Sequence, residues 1–125
     1  EIEIEATSGA AVPQIENGYI LETNEGSFYI EPHGFLDNTI KPRKLDAVIT
    51  PTKNLELPIV GPFVKGADVI PNLVKLFNPS YILSSTTGGD AKFSGILNSF
   101  ISLEEYKKAI DCKFLDLDQM QSVVI

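Results

Sequence analysis

Two apolar runs separated by a three-residue turn constrain this chain more than any other feature. Gly18-Tyr19-Ile20-Leu21-Glu22-Thr23 and Ser27-Phe28-Tyr29-Ile30-Glu31 flank Asn24-Glu25-Gly26. Strand-like runs joined by a short glycine-containing turn predict a β-hairpin. The second run leads into Glu31-Pro32-His33-Gly34, a turn with a carboxylate, a proline, the only histidine of the chain and a glycine. Polar residues just beyond the carboxyl end of a strand are where α/β sheets hold ligands, so this turn is the first candidate for chemistry.

The flanking pattern extends the sheet. Glu1-Ile2-Glu3-Ile4-Glu5 alternates strictly and predicts a half-exposed strand with Ile2 and Ile4 on its buried face. Residues 6–17, with Gly9 and Pro13, read as a loop. Asp46-Ala47-Val48-Ile49-Thr50-Pro51 is apolar on successive positions, as a central strand covered on both sides would be. Residues 52–66 hold Pro58, Gly61, Pro62 and Gly66 and read as a long loop. A helix is expected from Val69 to Phe77, capped by Asp68, with Pro71 in its first turn and Asn78-Pro79 as its stop. Tyr81-Ile82-Leu83 predicts a further buried strand. Phe93, Ile96, Leu97 and Phe100 have helical spacing, and Ser102 with Glu105 forms a capping box for a helix to Ile110. Residues 113–117 and 121–125 read as closing strands. The order predicts one α/β domain over residues 1–125, with a mixed sheet built from a hairpin followed by β-α-β units.

Composition narrows the function classes. Of the 125 residues, 43% are hydrophobic and 22% charged, which is globular usage. The net charge of −7 and the lack of a basic cluster beyond Lys41-Pro42-Arg43-Lys44 disfavour nucleic acid and anionic lipid as partners. No apolar run reaches the ~18 residues that span a bilayer, so a soluble, intracellular protein is expected. The single cysteine, Cys112, has no internal disulfide partner and reads as a buried or semi-buried thiol. The chain begins in β-like alternation at Glu1 and ends on Val123-Val124-Ile125, and it reads as part of something longer.

Several ordered segments carry a resemblance. They are Glu16-Asn17-Gly18-Tyr19, the hairpin into the Glu31 to Gly34 turn, Asp46 to Pro51, Leu57-Pro58 with Gly61-Pro62-Phe63-Val64-Lys65-Gly66, and Tyr81 to Asp90. Together, over residues 15–95, they resemble the C-terminal half of metallo-β-lactamase-fold hydrolase-like proteins of plant, algal and cyanobacterial type. The resemblance implies half of an αββα sandwich, a site at the sheet edge between the halves, and zinc or another divalent metal. It also implies a missing N-terminal half or another protein chain as partner, and hints at a plastid as well as the cytoplasm. The turn with His33 matches the position of a bridging aspartate, and the segment from Thr86 to Asp90 matches the position of a final histidine. Histidine stands in for aspartate at the first, the second has no histidine, and the His-x-His-x-Asp-His segment of that family is absent.

The candidate metal residues are therefore His33, Glu31, Asp37 and Asp90. His33 is a ligand or proton carrier, or a turn histidine bonded to its neighbours. Glu31 orients His33, or is a strand-end carboxylate in water. Asp37 and Asp90 reach the same sheet edge, or are a turn-forming residue and a helix cap. The stretch from Thr86 to Gly89 is a weak anion cradle, and Asp116 with Asp118 shares one strand face. A catalytic zinc takes about three protein ligands, and one histidine with one cysteine falls short of a histidine-rich set. Two functions follow: a metal-dependent hydrolase whose remaining residues lie elsewhere, or a non-catalytic interaction module that keeps the fold.

Overall fold

The computed structural model of the chain describes residues 1–9, 16–52, 54–57, 61–85, 112–115, 117 and 120–125. Six strands form one sheet in the order β1 (Ile2–Gly9), β2 (Glu16–Thr23), β3 (Ser27–Ile30), β4 (Ala47–Thr50), β7 (Tyr81–Ser84) and β8 (Lys113–Leu115). The first three are antiparallel, and β3, β4, β7 and β8 run parallel. The mixed α/β sheet expected from the sequence is present.

The hairpin closes as its residues dictate. The amide of Thr23 donates to the carbonyl of Gly26, and the hydroxyl of Thr23 accepts from the amides of Glu25 and Gly26. Side chains alternate across a strand, so the pairing register sorts residues into faces. One row crosses all six strands: Glu5, Ile20, Tyr29, Val48, Ile82 and Phe114. Its four central members are 1% exposed or less. They are covered by α1 (Gly66–Phe77), through Ile70, Leu73 and Phe77, and by Ile40 and Leu45 from the segment between β3 and β4. The rings of Tyr29 and Phe77 meet at 4.8 Å between centroids.

The helix starts three residues before the expected Val69, directly after a strand that ends at Lys65. Asp68 is thus a first-turn residue favoured by the helix dipole rather than the cap, and Pro71 lies inside the helix. An interior proline costs ~3 kcal/mol, and each of the three buried side chains contributes ~1.5–3 kcal/mol, so burial outweighs the proline. Asn78, with φ of 39°, turns the chain left-handed and donates its amide to Val74, ending the helix as expected before Pro79. The carbonyls of Leu76 and Phe77 accept the amides of Arg43 and Leu45, which ties the β3–β4 connection to the helix end.

Four expectations need correction. Ile2 and Ile4 are 65% and 61% exposed, because they lie on the sheet face opposite α1. The expectation for β4 fares better: Ala47 and Val48, on opposite faces of the strand, are both fully buried, and Ile49 is half-buried. Residues 52–66 are not a long loop. They contain an antiparallel pair, β5 (Asn54–Leu57) and β6 (Gly61–Lys65), whose register shifts between Leu55 and Glu56 beside Pro62. A proline is tolerated at such an irregularity in a two-stranded ribbon. The stretch 121–125 pairs with no strand, and Val124 is 99% exposed. The expected loop 6–17 is shortened by β1 and β2 from both ends, and the expected helices at 93–110 lie outside the described residues.

The second face of the sheet is apolar as well. Ile4, Leu21, Phe28, Ala47 and Tyr81 form one row, and Ala6, Tyr19, Ile30, Ile49, Leu83 and Leu115 form the next. Among the described residues no core cluster lies on this side. Tyr19 is 42% exposed, and Leu21, Phe28, Ile30, Ile49, Tyr81, Leu83 and Leu115 are half-buried. Among the described residues, the packed layer lies on one sheet face.

Candidate functional site at the carboxyl edge

Because β3, β4 and β7 are parallel, their carboxyl ends reach one edge of the sheet. That edge collects the Glu31-Pro32-His33-Gly34 turn, then Thr50-Pro51-Thr52, then Ser84-Ser85. Polar residues immediately after buried apolar runs are what a ligand crevice in such a sheet is built from.

Glu31 is not in water. It is 1% exposed, and both carboxylate oxygens accept backbone amides, Oε1 from His33 at 3.0 Å and Oε2 from Phe35 at 2.8 Å. The expectation of a solvated strand-end carboxylate is overturned by this geometry. The Glu31 amide in turn donates to the carbonyl of Ile49. A buried carboxylate needs such donors, and the bend that brings them requires Gly34 at φ of 71°. His33 sits half-buried in the same turn, its amide fixed by Glu31.

A packed polar knot lies beneath this turn. The Tyr29 phenol donates to the carbonyl of Phe35 at 3.4 Å. Burial, and then the negative charge of Glu31, hold that phenol well above its ordinary range. A Cβ added to Gly18 would lie 2.6 Å from Thr7 Oγ1, 3.2 Å from the Tyr29 oxygen and 3.3 Å from Glu31 Cγ. Only glycine fits there.

Asp37 belongs to a second anchor. Its Oδ1 accepts the hydroxyl of Thr39 at 2.6 Å and the amide of Thr39 at 2.8 Å, and its Oδ2 accepts the amide of Ser8 at 2.9 Å. The Thr39 hydroxyl first, then the amides of Thr39 and Ser8, hold the carboxyl down to about 2 from the ordinary 3.8. This is a turn-forming aspartate that also pins the β3–β4 connection to β1. Asp90 lies outside the described residues, as do residues 86–89 and the pair Asp116 and Asp118.

Four edge residues had not been singled out in the sequence. The hydroxyls of Thr52 and Ser84 are 2.6 Å apart and join the ends of β4 and β7, and the amide of Ser85 donates to the carbonyl of Thr50. The Thr50 hydroxyl is fully buried and makes no hydrogen bond among the described residues. The signal available was positional, a hydroxyl directly after a buried strand.

Chemically, the edge brings Glu31 and His33 into one turn with Asp37 a few residues on. Both carboxylates are already committed to backbone donors, and no group of three His, Cys, Asp or Glu side chains converges among the described residues. The described members of the candidate set, Glu31, His33 and Asp37, therefore fall short of the roughly three free ligands that a catalytic zinc takes. No helix among the described residues is long and apolar enough to cross a membrane. The chain matches no family model, no curated protein and no solved structure.

Proposed function

We propose that this chain is a non-catalytic interaction module, one α/β layer of a larger particle. The observation that carries the reading is the second apolar face of the sheet, with two rows of hydrophobic side chains and no core cluster among the described residues. Apolar surface of this extent is a docking signal. The resemblance of residues 15–95 to half of an αββα metallo-β-lactamase-type sandwich supports it, since such a half would expose its sheet in this way. Under that resemblance a hydrolase-like site would need residues outside this chain. The commitment of Glu31 and Asp37 to turn-building favours the module over the metal-dependent hydrolase.

The test is the intact mass and metal content of the native particle that contains this chain. A mass above that of one chain, with no stoichiometric zinc, iron or manganese, is expected. About two equivalents of metal, reduced by His33→Ala, would overturn the non-catalytic reading in favour of a hydrolase-type site.

A further inference from the structure

β1 is the outer strand of the sheet, and its hydrogen-bonding phase follows from the hairpin. The amide of Thr23 donates to the carbonyl of Gly26, so the odd-numbered residues of β2 turn their backbone groups toward β3. Backbone groups alternate sides along a strand, so the even-numbered residues of β2 turn theirs toward β1. Their partners there are Glu3, Glu5, Thr7 and Gly9. Ile2, Ile4, Ala6 and Ser8 therefore aim their amides and carbonyls away from the sheet. The Ser8 amide agrees with this phase, since it donates to Asp37 Oδ2 at 2.9 Å. The edge is closed by that contact at Ser8 and, among the described residues, open from Ile2 to Ala6. Residues 1–6 are all exposed. Natural sheets blunt such an edge with prolines, bulges or very short strands. β1 is eight residues long, keeps one register along its length and has neither proline nor bulge.

We propose that this edge receives an extended segment of another polypeptide, added as a further strand, in which basic and apolar residues alternate. The proposal rests on the interaction-module reading above and puts a partner on the edge of the sheet rather than on its face. Charge selects the occupant. Glu3 and Glu5 share the α1 side of β1, and Glu3 lies directly opposite Glu22. Arg43 bridges Glu5 at 2.8 Å and Glu22 at 3.8 Å, and among the described residues no ion pair reaches Glu3. Like charges directly opposite destabilise a strand pair, and opposite charges support it. A strand with lysine or arginine on that side supplies the missing cations. On the other side Ile2 and Ile4, 65% and 61% exposed, and Ala6 call for apolar neighbours. The same pattern rejects a second copy, because β1 laid against its own image sets Glu3 and Glu5 against glutamates. Hydrogen bonds from the outward groups of Ile2, Ile4 and Ala6 give the affinity, and the alternating side chains give the selectivity.

Titration of the full chain with two short blocked peptides, one alternating valine with lysine and one alternating valine with glutamate, tests this. Amide hydrogen exchange locates the contact. In the chain alone Ile2, Ile4 and Ala6 should exchange fast, while Glu3, Glu5 and Thr7 are held by β2. The lysine peptide should bind saturably and slow Ile2, Ile4 and Ala6, and the glutamate peptide should bind about tenfold more weakly. Ile4→Pro removes one outward donor and no bond to β2. It should weaken the lysine peptide about tenfold, with an unchanged far-ultraviolet dichroism spectrum verifying the fold. Glu3→Lys leaves the backbone groups in place and should weaken the same peptide about two- to fivefold. Equal binding of the two peptides would overturn the charge-selected partner. Slow exchange at Ile2, Ile4 and Ala6 in the chain alone, or no binding of either peptide, would overturn the edge as a docking site. The module reading is judged separately, by the mass and metal content of the native particle.

Discussion

At the scale of single residues, carboxylates act here as turn builders. Glu31 is buried and accepts two backbone amides in its own turn. Glu31→Ala should destabilise the fold by about 2–4 kcal/mol, since each buried donor left unpaired costs ~1–3 kcal/mol; urea unfolding reads this directly. Asp37 gives a pH signature. Its folded pKa lies below its ordinary value, so its contribution is complete above pH 4 and is lost as pH falls from 3.8 through about 2. Asp37→Asn should flatten the stability–pH curve in that window and leave it unchanged near pH 7. What the sequence showed at this scale was residue type and position. Glu31 and His33 stood out as strand-end groups, but whether a carboxylate there meets water or buried amides depends on the path of Pro32 to Phe35. Likewise the alternation of Ile2 and Ile4 showed two faces and could not tell which one a helix would cover.

At the scale of elements, the hairpin, β4, β7 and the end of α1 were legible because each is written locally. Turn residues separate apolar runs, and Asn78-Pro79 closes a helix with a regular apolar stripe. The β5–β6 pair was not legible, since Pro58, Gly61 and Pro62 carry the signature of a loop and the pairing is rescued by a register shift. The early start of α1 was hidden for a related reason: tertiary burial of Ile70, Leu73 and Phe77 overrides the proline between them. Phe77 packs against Tyr29 at the centre of the sheet. Phe77→Ala should cost ~3–5 kcal/mol in thermal or urea unfolding, while Lys75→Ala on the exposed side of the same helix should cost less than about 0.5 kcal/mol.

At the scale of the whole molecule, the mixed sheet was legible in the element order, and the asymmetry of its two faces was not. Hydrophobic pattern reports that a strand is apolar on both sides; only the topology reveals that α1 and the β3–β4 connection sit on the same side. The deciding property is whether the second face is covered in the native particle. Carbene footprinting read at Ile4 and Tyr19, with Val124 as an internal reference that is 99% exposed, measures this most directly. The account predicts that Ile4 and Tyr19 label several-fold less than Val124 in the native particle and approach it once the particle is dissociated. Labelling of both as strong in the native particle as in the separated chain would contradict it.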